Sequence, residues 1–284
     1  MYWIIGNQGM LGKELEHLFD IYGVSYIGSD KEIDTTKAEE LEKQKACFDW
    51  VINCAAYTAV DKAEEDKDLC YALNVEGPLH IAEFARKRYA KMVHISTDYV
   101  FNGNSKTPYH EDDPTSPIGF YGKTKLEGEQ AVRKYNGYVI RTSWLYGRYG
   151  NNFVKTMLNL MNVCDTISVV NDQIGSPTWA YNLAQFIYTF TQKINVCDGV
   201  YHYSNKGEIS WYDFAVAIYK LGCEYGLIRK DCAIVPCSTS EYPTKAERPK
   251  YSVLDTSKIA RCLEEVGEKI PQWDISLMEF LKGF

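Results

Sequence analysis

Tyr2-Trp3-Ile4-Ile5-Gly6-Asn7-Gln8-Gly9-Met10-Leu11-Gly12 is the stretch whose reading decides the fold. Four apolar residues suit a short strand buried on both faces, and they run straight into glycines spaced G-x-x-G-x-x-G. Leu11, Leu15, Leu18, Phe19 and Tyr22 then recur at helical spacing and stop at Gly23. Strand, glycine turn and amphipathic helix in that order open a βαβ unit, and a dinucleotide's pyrophosphate rests at such a turn. Gly6, Gly9 and Gly12 are therefore candidate cofactor residues. An isolated glycine turn is as often ordinary loop chemistry; the flanking strand and helix favour the cofactor reading. Asp30, eighteen residues after Gly12 and just past a second strand, is placed to accept hydrogen bonds from an adenosine ribose. A carboxylate there favours NADH over NADPH; Ser29 and Lys31 beside it weaken the preference, so both cofactors stay open.

Outward from this unit, residues 24–27, 50–53, 92–96 and 138–141 read as further short, apolar strands. Helical patterns over about 66–88 and 123–135 separate the later ones. The expected architecture is α/β, a Rossmann-type doubly wound parallel sheet over residues 1–147 whose crevice lies at the carboxyl ends of its strands. From 148 to 284 the pattern changes to a smaller, mixed α/β substrate lobe, expected to be discontinuous. It carries a helix over 151–162, strands over 167–170 and 200–203, a helix opened by Ser210 and Asp213 and running to Leu221, and a last helix over 275–281. A strand near 166–175 is expected to join the sheet of the first domain.

Composition bounds the partners. A formal charge of -7 and a pI near 5.4, with no dense Lys/Arg tract, argue against nucleic acid or an anionic membrane surface. No run approaches the roughly 18 apolar residues of a membrane helix, and no basic segment and cleavage site precede the first strand. Nine cysteines without a C-x-x-C pair fit reduced thiols and a cytoplasmic setting. The five histidines lack metal-ligand spacing, and His94, inside a strand, reads as a core histidine; no metal is expected. Hydrolase and kinase signatures are missing.

The chemistry gathers at the strand ends. Tyr121 and Lys125 stand four residues apart, on one face of a helix, where a cation can favour phenolate and let the phenol exchange a proton. Ser96-Thr97-Asp98 leaves the fourth strand and offers hydroxyls to a carbonyl and a carboxylate to a sugar hydroxyl or a turn. Asn53-Cys54-Ala55-Ala56-Tyr57-Thr58, after the third strand, supplies small residues where backbone approaches a ligand, or only packs strand against helix. A hydroxyl, a phenol and an ammonium together can protonate a carbonyl while hydride arrives from a nicotinamide.

With Ala55 to Glu64, Ser96 to Phe101, Tyr121 to Lys125, Arg141-Thr142-Ser143-Trp144, Gly150 to Phe153, Asn171-Asp172-Gln173 and Arg248-Pro249 added, the chain resembles the extended branch of the short-chain dehydrogenase/reductase superfamily. More closely, it is similar along nearly its whole length to the dTDP-4-dehydrorhamnose reductase family. The resemblance implies reduction of the C4 ketone of a dTDP-sugar with NADPH or NADH. It implies Tyr121 as proton donor, Lys125 as its electrostatic partner and ribose ligand, and Thr97 as the hydroxyl beside the ketone. Gly9, Met10 and Leu11 would lie on the pyrophosphate, Asp34 and Thr35 near the adenosine, Ala56, Tyr57 and Thr58 along the cofactor, and Asp98, Trp144 and Asn152 toward the sugar nucleotide. Lys155 and Arg248 are candidates to offset the diphosphate charge. Some members hold magnesium at a dimer contact; Glu14 sits comparably but its partners do not match. A monomer or homodimer is expected. Epimerases and dehydratases of the same branch share the Tyr and Lys, and non-catalytic regulatory subunits of the fold need neither.

Overall fold

The computed structural model describes all 284 residues. In order, β1 (Tyr2–Ile5), α1 (Met10–Tyr22), β2 (Tyr26–Ser29), α2 (Ala38–Leu41), β3 (Trp50–Asn53), α3 (Lys67–Tyr71), α4 (Gly77–Lys87), β4 (Lys91–Thr97), α5 (Phe120–Arg133) and β5 (Tyr138–Thr142) make the first half. The second half holds β6 (Leu145–Tyr146), α6 (Phe153–Val163), β7 (Thr166–Val170), β8 (Ile174–Gly175), β9 (Thr178–Trp179), α7 (Ala180–Lys193), β10 (Gly199–His202), β11 (Ile209–Ser210), α8 (Trp211–Glu224), β12 (Ala233–Cys237), α9 (Ser257–Glu265) and α10 (Trp273–Lys282).

The apolar runs become strands because helices cover both faces of the sheet. Tyr2 and Ile4 point into one core with Leu11, Leu15 and Leu18 of α1 and Leu183 and Ile187 of α7; Trp3 and Ile5 point into the other with Ile81 and Phe84 of α4. The strand order is β2-β1-β3-β4-β5-β10, and every pair is parallel. The chain leaves β1 for β2 on one side and later lays β3 on the other, so the topological switch point lies between β1 and β3. The glycine turn after β1 and the 54–58 loop after β3 frame that crevice.

A third core, with Tyr146, Met157, Phe214, Ile218, Leu277 and Phe280, binds α6, α8 and α10 together. Ser210 opens α8 with a capping box closed by Asp213, as its sequence predicts. Two strand assignments are corrected here. The strand expected to join the large sheet from near 166–175 is β7, which pairs instead with β12, and residues 199–202, expected in the second lobe, form the sixth strand of the large sheet. The burial pattern gives the reason: Thr166 and Ser168 leave one face of β7 in solvent, whereas Val200, Tyr201 and His202 are all buried. The unforeseen α7 packs its apolar face on α1 and carries the chain back to the sheet edge. Pro236 fits in β12 because that strand is an edge.

Candidate active site

A cleft of about 780 Å³ opens at the carboxyl ends of the strands. Its cofactor side is built by close backbone contact. Gly6 has φ +78°, and a Cβ there would fall 2.6 Å from Ala55 N; one on Gly12 would fall 2.3 Å from Gly6 O. Only glycine lets the turn lie against the next strand's loop and against its own helix. Gly9 is the N-cap of α1 with no side-chain cap, so the first amides of the helix remain available to an anion. This cradle, close-packed backbone beside uncapped helix amides, fits a dinucleotide pyrophosphate. Gly6, Gly9, Met10, Leu11, Gly12, Asp30, Asp34, Thr35, Ala56 and Thr58 all line the cleft. Asp34 accepts from the amide and hydroxyl of Thr36 at 3.1 and 2.7 Å, which shapes that end of the cleft.

On the opposite wall, β4 delivers Thr97 and Asp98, and α5 delivers Tyr121 and Lys125. The helix begins at Phe120, three residues before its periodicity predicts, because Glu64 from another segment accepts the Phe120 amide at 2.8 Å. A Cβ on Gly122 would meet Tyr99 O at 2.2 Å, and one on Gly128 would meet Asn74 O at 2.1 Å. Gly122 thus lets α5 press against the turn that carries Thr97 and Asp98, and Gly128 lets it press against the 72–76 segment. Thr97 Oγ1 donates to Asp98 Oδ1 at 3.0 Å and accepts from Tyr99 N at 3.2 Å. Asp98 Oδ2 is buried without a hydrogen-bond partner. Burial pushes the Asp98 carboxyl up to about 6, against the pull of Ser252 and Thr97.

Burial also pushes the Tyr121 phenol up, with Thr97 pulling the other way and the Asp98 charge adding to the rise. The expectation that Lys125 favours phenolate is corrected. Lys125 Nζ donates to Ile95 O at 2.6 Å and stands 3.4 Å from His94 Nε2, its burial pulling it down to about 8. The backbone carbonyl at the end of β4 captures the ammonium that sequence spacing alone aims at the phenol. Tyr121 is therefore a neutral phenol, a proton holder, with a hydroxyl beside it.

Four expected site residues stand elsewhere. Tyr57 lies along the loop, but its hydroxyl donates to Asp66 at 2.8 Å, while buried Asn74 holds its amide and carbonyl at 2.8 and 3.1 Å. Asn152 caps α6 by accepting from Lys155 N at 3.2 Å, and its neighbour Asn151 lines the cleft instead. Lys155 donates to Arg148 O and lines a separate 500 Å³ cavity with Glu14 and His17. Arg248 is paired with Asp61 at 2.7 Å and lies over the Tyr99 ring, which itself lines the cleft. Trp144 does line it, at φ +47°, stacked on Trp211 at 3.5 Å. Cys54, Tyr99, Ser143 and Asn74 are contributors that chain reading missed. The first three sit within stretches already singled out, whereas nothing in the spacing marks Asn74.

Residues 2–284 match the family model described as the RmlD substrate binding domain. The chain is 43% identical to the spore coat polysaccharide biosynthesis protein SpsK of Bacillus subtilis, over 98% of this chain and 96% of that one. A crystal structure of a dTDP-4-dehydrorhamnose reductase from Clostridium acetobutylicum is similar at TM-score 0.88 and 41% identity, covering 99% of this chain and 98% of that one. The Bacillus anthracis dTDP-4-dehydrorhamnose reductase in complex with NADP superposes at TM-score 0.90 with 38% identity, covering 100% and 99%.

Proposed function

The chain belongs to the RmlD substrate binding domain family, and from that premise we infer that it is an NAD(P)H-dependent oxidoreductase reducing the C4 ketone of dTDP-4-dehydro-L-rhamnose to dTDP-L-rhamnose. One observation carries this reading: the uncapped glycine turn and the Thr97–Tyr121 pair face each other across a single cleft. Either feature alone is common; only a redox site on a carbonyl uses both.

NADPH or NADH, when bound, supplies hydride to the carbonyl carbon. The chain's residues do the rest. Gly9, Met10 and Leu11 hold the pyrophosphate on the helix N-terminus, Asp30, Asp34 and Thr35 meet the adenosine end, and Ala56 and Thr58 line the path between. Lys125, near-buried at 2% exposure and tied to Ile95 O, offers its remaining N–H groups to a ribose. Thr97, its hydroxyl turned from Asp98 Oδ1, donates to the ketone oxygen and fixes its direction. Tyr121 gives its phenolic proton to that oxygen as negative charge develops on it, leaving a phenolate to be reprotonated from solvent. Burial holds the proton on the phenol until that charge appears. Asp98 and Trp144 contact the sugar nucleotide from the cleft wall.

We divide the labour near residue 147, the first part binding cofactor and the second substrate, with 180–203 and 257–265 returned to the first part's sheet. Nine unpaired cysteines and a nicotinamide cofactor support a cytoplasmic enzyme, and no helix is long and apolar enough to cross a membrane. A monomer or homodimer is the expected state. The test is oxidation of NADH or NADPH, followed at the nicotinamide absorbance, when purified protein meets the product of the preceding 3,5-epimerase. No turnover with either cofactor would refute the assignment.

A further inference from the structure

Three buried side chains, Asn53 of β3, His94 of β4 and Lys125 of α5, form a line running back from the cleft wall, and only Lys125 has a part in the reaction; they are 1%, 0% and 2% exposed. The backbone amide of Ala55 donates to Asn53 Oδ1 at 3.0 Å, and this contact settles which end of the amide faces which way. Asn53 Nδ2 therefore points at His94 Nδ1, 3.1 Å away, as a donor. Burial holds His94 neutral, far below the usual imidazole range, with the Lys125 charge adding to the effect. A neutral imidazole has one acceptor nitrogen and one N–H. Asn53 occupies the acceptor, so the proton is on Nε2. Nε2 faces Lys125 Nζ at 3.4 Å.

An ammonium has three donors and no acceptor, so it opposes an N–H aimed at it; an amine has a lone pair that receives one. Nζ already donates to Ile95 O at 2.6 Å, which leaves its lone pair free for Nε2–H when it is neutral. The other titratable groups around Nζ are Glu129 one turn along α5, Cys54 after β3 and Cys70 of α3. Glu129 is bound by Arg141 at 2.9 and 2.7 Å, and both cysteines are free thiols that burial keeps protonated, so no unpaired anion holds the charge on Lys125.

We propose that Asn53 and His94 are positioning residues that lock one imidazole tautomer, aim Nε2–H at Lys125, and so keep the lysine exchanging between ammonium and amine instead of standing as a fixed cation. The inference deepens the reductase reading, since Lys125 is the cation proposed beside the cofactor ribose. It gives His94 a part that its place in a strand conceals: a core histidine by burial, it sets the protonation of the site lysine by its tautomer.

The test is a long-range proton–nitrogen correlation spectrum of histidine-labelled protein, with His94 assigned from His94→Gln. His94 is expected as the Nε2–H tautomer, and its Nε2 shift is expected to follow a titration centred near 8, the value to which burial brings Lys125, that Lys125→Met abolishes. Asn53→Asp reverses the lock. An aspartate keeps the Ala55 contact and accepts at Nδ1, so the proton moves to Nδ1 and Nε2 becomes an acceptor for the ammonium. The basic limb of kcat/KM should then move upward by about one pH unit. A wild-type spectrum with the proton on Nδ1 would overturn the proposal, as would Asn53→Asp with the tautomer flipped and the basic limb unmoved. If Asn53→Asp fails to fold, the wild-type and Lys125→Met spectra decide. Absence of ketone reduction in the wild type would remove the reductase reading while the spectra still judged the tautomer.

Discussion

Gly122→Ala probes how the active site is assembled. The added Cβ would lie 2.2 Å from Tyr99 O and 3.0 Å from Pro117 Cβ. A carbon and a carbonyl oxygen need at least about 3.2 Å, so roughly 1 Å must be recovered by backbone movement, since neither the helix nor the 98–100 turn can rotate a side chain out of the way. The movement pushes α5 away from the turn that carries Thr97, and it takes Tyr121, the adjacent residue, with it. A 1 Å displacement of a reacting group costs about 10²-fold in rate, and overpacking of this size costs about 1–3 kcal/mol of stability. The assay is steady-state kcat with saturating cofactor and substrate, beside cofactor titration and urea unfolding. kcat should fall about a hundredfold with cofactor affinity nearly kept. Gly119→Ala serves as control, because its Cβ meets only the movable Glu64 carboxylate at 3.1 Å. Wild-type kcat in Gly122→Ala would refute the idea that contact between α5 and the turn sets the Thr97–Tyr121 geometry.

Tyr121→Phe keeps ring packing against Tyr99 but removes the proton, so single-turnover reduction should slow by about 10²- to 10⁴-fold with cofactor binding intact; an unchanged rate would make Tyr121 structural. Gly9→Val projects a branched side chain from the helix N-cap into the cleft and should abolish binding of NADH and NADPH alike, read by fluorescence quenching, since only Gly6 O at 3.2 Å confines it and it otherwise points where the pyrophosphate rests. Asp98 has a pKa raised from 3.8 to about 6, so the folded chain binds this proton more tightly than the unfolded one. The stability it contributes is complete below about pH 4 and is lost as pH rises through about 6, by up to about 3 kcal/mol. Asp98→Asn should therefore be the more stable protein in urea above pH 7, with the gap closing in acid; a gap independent of pH would show that folding does not raise the Asp98 pKa.

Much of this molecule is written locally. The strand over Tyr2–Ile5, the glycine turn and the α1 stripe are legible because a strand buried on both faces must be apolar throughout, a tight turn against neighbouring backbone must be glycine, and a surface helix must repeat every three to four residues. Thr97, Asp98, Tyr121 and Lys125 were equally legible, since each ends or begins an element at the carboxyl edge of the sheet, where such folds place their chemistry. Lys155 and Asn152 misled for the opposite reason. Nothing in a sequence tells a lysine aimed at a diphosphate from one whose ammonium is taken by the backbone of its own loop.

What the chain alone determined was element type and the sheet edge at which chemistry gathers, both set by residues near one another in sequence. Partner choice belonged to the tertiary structure. Whether β7 or β10 completes the sheet depends on which of them is covered on both faces, and where the Lys125 proton goes depends on Ile95, His94 and Asn53, from strands that only the fold brings together. Periodicity reports burial, but burial does not say against whom. Hydrogen bonds are short and directional, so their partners are decided by positions in space that sequence separation does not encode.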